Sequence, residues 1–65
     1  MTIDEFRGHV EGFITDSGMT PTAFGRRFAG DPLFVFQLRE GREPRSATQQ
    51  KILVAMEAAK HEQAA

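Results

Sequence analysis

Two helix starts written in the same way, Thr20-Pro21 and Asp31-Pro32, lie within the stretch TPTAFGRRFAGDPLFVFQLREG, and they limit the fold more than any other feature of the chain. Each puts a capping oxygen directly before a proline. Proline suits the first helical position because its missing N–H would have no partner there in any case. One helix is therefore predicted from about Pro21 to Phe28, ended by Ala29-Gly30-Asp31. A second runs from about Pro32 to Glu40, with Gly41 as its terminator. The short turn between them has the spacing of a helix-turn-helix unit.

The remaining chain supplies two more helices. Thr2 followed by Glu5 forms a capping box, and Ile3, Phe6, Val10, Phe13 and Ile14 then recur at steps of three and four to draw one apolar stripe. Gly18 ends this helix. Gly8 and Gly12 within it, four apart, weaken it by roughly 1 kcal/mol each relative to alanine; they either permit close helix approach or are merely tolerated, and tolerance is the expectation. Met19 before the Thr20 cap and Phe24 beyond it have the spacing of a hydrophobic staple, and Ala23, Phe24 and Phe28 form the buried edge of the second helix. Gly25 is small where a helix crossing needs a small residue. In the third helix Phe34, Val35 and Leu38 fall on a core arc, and Leu33, Phe36, Gln37 and Glu40 fall opposite. After a polar linker, Ser46 and Gln49 make a second capping box. Thr48, Ile52, Ala55, Met56 and Ala59 then close the core. The expectation is an all-α bundle of four helices, at most five, with one domain over residues 1–60 and a frayed tail over 61–65.

Composition narrows the chemistry. At 65 residues the chain supports one small core. It has no cysteine, and its two histidines are isolated, so neither a thiolate nucleophile nor a closed metal site can be assembled from it. His9, His61 and the Glu40/Glu43 pair have no partner group at a catalytic spacing, and the chain is read as a non-enzyme that needs no cofactor, metal or small-molecule substrate. Without a long apolar run it is expected to be soluble and cytoplasmic, with no membrane partner. The net charge is −1, but it is segregated. Residues 1–25 carry −3, residues 26–51 carry +3, and residues 52–65 carry −1. The helix-turn-helix and its linker therefore hold the basic residues, as a phosphate footprint requires, although a solvated face of mixed charge has the same signature.

From Gly18 to Met56 the chain resembles the phage-repressor or Xre-type helix-turn-helix family. Gly18-Met19-Thr20 is similar to that family's Gly-Leu-Ser lead into helix 2. Gly25 takes the position usually held by alanine, and Phe28 that of the leucine after it. Val35 and Leu38 match the paired buried isoleucines of the recognition helix, and Gly41-Arg42 with Pro44 matches the Gly-Lys-Arg-x-Pro exit, one residue shorter. The turn pair is inverted: Ala29 stands at the family's glycine and Gly30 at its apolar turn residue. The resemblance implies a lambda-repressor-like bundle and a bacterial or phage transcriptional regulator, nucleoid-associated if it binds DNA.

It also implies site residues. Positions that reach base edges in the family fall on Pro32, Leu33, Phe34, Phe36 and Gln37. Of these, Gln37 can bond adenine through both its amide atoms, and Leu33 and Phe36 can touch thymine methyl groups. Arg26, Arg27, Arg39, Arg42 and Arg45 are the candidate phosphate contacts, assisted by Thr22, Thr48 and Gln49 near helix starts. A single module of this size binds weakly, so a homodimer on two half-sites of double-stranded DNA is expected. The other reading is a protein-interaction adaptor on the same fold, docking through Leu33 and Phe36.

Overall fold

A computed structural model describes the backbone of residues 1–64 and the side chains of residues 1–62. It is an all-α bundle. Helix α1 spans Ile3–Ser17, α2 spans Pro21–Phe24, α3 spans Phe34–Arg39 and α4 spans Ser46–Ala64. Between α2 and α3 lies one π-helical turn, Gly25–Ala29. Of the expected frayed tail, residues 61–64 belong to α4, and residue 65 lies outside the described residues.

The caps form where their chemistry requires. The Glu5 N–H donates to Thr2 Oγ1 at 3.2 Å, and the Thr2 hydroxyl donates to Glu5 Oε1 at the same distance, so the two side chains close on each other. Thr20 accepts from the Ala23 N–H at 3.1 Å, with Pro21 in the first turn. Gly18 ends α1 at φ 73°, a left-handed geometry that glycine adopts without a Cβ clash.

The core follows the predicted stripes. Phe6, Val10, Phe13 and Ile14 of α1 meet Phe24 and Phe28, the α3 residues Phe34, Val35 and Leu38, and Ile52, Met56 and Ala59 of α4. Met19 packs at the edge of this cluster, as the staple requires. Phe13 stands edge-on to Phe24 and Phe28, with centroids 5.8 and 5.3 Å away, and so ties α1 to the first half of the helix-turn-helix. Edge-on rings place positive rim against negative face, which adds to the burial energy.

Several local expectations are corrected. Helix α2 does not continue as an α-helix to Phe28. It widens at Gly25, whose carbonyl accepts from the N–H groups of both Gly30 and Asp31, the latter at 3.0 Å. Gly30 closes the turn at φ 67°. The positive φ falls on Gly30, the residue of the Ala29-Gly30 pair that adopts it without a Cβ clash. Helix α3 starts at Phe34, not Pro32, because Asp31 caps a turn instead of the helix itself: Asp31 Oδ1 accepts from the Leu33 N–H at 2.9 Å, and its carbonyl accepts from the Phe34 N–H at 3.1 Å. This local side-chain bond holds Pro32 and Leu33 out of the helix. Ala23 is exposed and does not belong to the buried edge. At α4 the cap position is Arg45, whose carbonyl accepts from the Gln49 N–H at 2.9 Å, while the Gln49 side chain donates to the Pro44 carbonyl at 2.7 Å. Ser46 is thus the first helical residue and not the capping residue.

Candidate nucleic-acid interface

Helix α3 is anchored on one side and open on the other. Val35 and Leu38 are fully packed, and Phe34 is nearly so. Two polar clamps from α1 add to this apolar anchor. Arg7 Nε donates to the Leu38 carbonyl at 3.2 Å while its Nη1 pairs with Asp4 at 3.0 Å. A carbonyl in the last turn of α3 thus finds a cationic donor, which suits the negative end of a helix. Glu11 receives a two-pronged bond from Arg39, Nε to Oε2 at 2.7 Å and Nη2 to Oε1 at 2.8 Å. Those bonds hold the Glu11 carboxyl below its ordinary pKa, against a smaller upward push from partial burial.

The opposite edge carries Leu33, 55% exposed, and Phe36, 41% exposed. Gln37 lies beside them, half-buried. Its side-chain oxygen accepts a hydrogen bond from Arg42 Nη1, and its backbone carbonyl accepts from the Arg42 N–H at 3.1 Å. The second bond closes across Gly41, which sits at φ 108°.

The eight phosphate candidates divide by what they already do. Arg26 and Arg45 are exposed and carry no ion pair among the described residues. Arg27 lies over the Phe28 ring, 5.0 Å from its centroid, and approaches Glu62 at 3.9 Å. Arg42 is exposed but bonded to Gln37, and Arg39 is taken up by Glu11. Gln49 is held by the Pro44 carbonyl. Thr22 is half-buried in the first turn of α2, apart from the linker residues. Arg42, Arg45 and Thr48 are brought together by a groove of about 510 Å³ between the turn residues Ala29 and Asp31, Phe34 of α3 and the linker. Asp31 and Glu43 line it as well, so its charge is mixed.

Sequence reasoning missed the α1 clamps, because Arg7 lies 31 residues from Leu38 and Glu11 lies 28 from Arg39, and each charge looks like an ordinary solvated one. It also missed the Gln37–Arg42 pair, for which the one local signal was Gly41 placed to turn the chain back. Among the described residues, no helix is long and apolar enough to cross a membrane. No protein-family model matches the chain, and neither a curated protein nor a solved structure matches it.

Proposed function

We propose that this protein is a DNA-binding regulator of the helix-turn-helix type that presents α3 to the major groove. The observation carrying this reading is the division of labour on α3. Phe34, Val35 and Leu38 and the α1 clamps anchor the helix on one side. On the other edge Leu33 and Phe36 stand largely open beside the Gln37–Arg42 pair, with the Arg39 guanidinium 5.9 Å from the Phe36 ring centroid. The surplus positive charge of residues 26–51 surrounds that edge in sequence. Arg26, Arg27 and Arg45 bind phosphates and set register, and the α3 edge with its Gln37–Arg42 pair reads bases. Two copies bind half-sites about 34 Å apart, one helical turn of DNA. Regulation of transcription and a bacterial or phage setting belong to the same proposal.

The exposed Leu33 and Phe36 favour a second reading, in which the edge docks a protein and the arginines form a polar rim. Amide shifts on titrating a generic duplex at low salt separate the two. The DNA-binding reading expects shifts concentrated on Thr22, Arg26, residues 33–37 and residues 42–49. Shifts confined to the outer side of α1, or none, would sink it.

A further inference from the structure

The Gln37 amide does not stand alone on the open edge of α3, since Arg42 already engages it. Gly41, at φ 108°, turns the backbone so that the Arg42 N–H bonds the Gln37 carbonyl, and this delivers the Arg42 guanidinium to the Gln37 side chain. A guanidinium has donors only, so the amide can face it only through its oxygen. The orientation of the amide is thereby settled. Oε1 is engaged by Arg42, and Nε2 with its two N–H groups is left for a partner.

Adenine requires both halves of the amide: an acceptor for its N6 amino group and a donor for its N7. In the paired arrangement one lone pair of Oε1 is taken by Arg42, and an adenine amino group approaching the other meets the guanidinium N–H groups, donor against donor. Gln37 and Arg42 together offer mainly donors, from Nε2 and from the guanidinium nitrogens not engaged with Oε1. Guanine is the base that presents two acceptors, N7 and O6, on its major-groove edge. We infer that Gln37 and Arg42 act as one unit that reads guanine, with Arg42 setting the specificity by fixing the amide of its neighbour. This inference rests on the DNA-binding reading above.

The test is selection from a duplex library with a randomised core, run in parallel on the wild-type protein, Gln37→Ala and Arg42→Ala. The position read by the pair is the one whose preference disappears in Gln37→Ala. There the wild type should favour guanine over adenine by about tenfold, as expected for one good bidentate contact. In Arg42→Ala the freed Oε1 should make adenine the favoured base at that same position. Adenine selected by the wild type, or guanine retained in Arg42→Ala, overturns the inference. So does an equal loss across all sequences in Gln37→Ala, which assigns the two side chains to phosphate. A wild-type protein that binds no duplex in a salt-dependent way is a separate result, since it removes the DNA-binding reading and the inference with it. One readout needs no DNA: the side-chain amide resonances of Gln37 in the free protein should move in Arg42→Ala, and their staying fixed refutes the pair.

Discussion

Replacing Gly25 by alanine should damage this fold although alanine is the better helix former. A Cβ built at Gly25 lies 2.2 Å from the Asp31 carbonyl oxygen, 3.2 Å from the Asp31 carbonyl carbon and 3.4 Å from that of Pro32. All three are backbone atoms, so no side-chain rotation can relieve the first contact. Relief requires the Gly25–Ala29 turn and the Asp31-Pro32 segment to separate by about 1 Å, judged against ordinary carbon–oxygen contact distances. That movement strains the 3.0 Å bond from the Asp31 N–H to the Gly25 carbonyl and the packing of Phe24 and Phe28. Overpacking of this kind costs about 1–3 kcal/mol, and an unyielding backbone neighbour puts Gly25→Ala near the top of that range. The gain in helix propensity is about 1 kcal/mol. The net loss is therefore about 2 kcal/mol, which in a domain this small lowers the melting temperature by about 8–16 °C. Circular dichroism melts and urea titrations measure it. Gly8→Ala and Gly12→Ala are the controls, since a Cβ at either position meets nothing within 4 Å, and each should raise stability by about 0.5–1 kcal/mol. A Gly25→Ala protein that melts at or above the wild type would refute the close approach of the turn to α2.

The Glu11–Arg39 pair should contribute about 0.5–1 kcal/mol, because both side chains are more than a third exposed and water screens them. Since Glu11 has a lowered pKa in the folded state, that contribution is present above its unfolded value of about 4.3 and is lost as pH falls through the lower folded one. Wild type and Glu11→Gln should thus differ in urea midpoint near neutral pH and converge in acid, and a difference that grows below pH 4 contradicts the pairing. Arg26→Ala should weaken binding to every duplex and reduce the salt slope by about 0.9, whereas Arg39→Ala should change that slope far less because its donors are occupied; equal effects in electrophoretic titrations would remove the distinction. Phe36→Ala, at a 41% exposed position, should cost less than about 1 kcal/mol of stability in denaturation assays. If it abolishes a protein contact and leaves duplex affinity untouched, the adaptor reading prevails.

What could be read from the residues follows how local each cause is. The Thr2 and Thr20 caps and the apolar stripes depend on neighbours within one helical turn, and they form as their spacing requires. The alternation on α3 was equally plain, with Val35 and Leu38 inside and Leu33 and Phe36 outside. The π-helical turn was hidden, because it depends on Gly25 receiving the backbone of a later turn against its missing Cβ. Asp31 was identified as a cap, but its choice of the turn over the helix rests on bonds to Leu33 and Phe34 that compete locally and leave no pattern. The candidate site was legible as a list of residue types and illegible as a set of commitments. Arg39 and Arg42 look alike in sequence; one is bound to α1 and the other to the edge of α3 that it helps to define.

The central claim is that α3 and its arginines meet DNA, and the salt dependence of duplex binding tests it most directly. With phosphate contacts from Arg26, Arg27 and Arg45, counterion release sets a slope of about −2.7 per protomer in a plot of log affinity against log salt. Affinity for a duplex with a single half-site, measured by fluorescence anisotropy, should then fall by about 40-fold between roughly 50 and 200 mM salt. A flat response across that range contradicts the account.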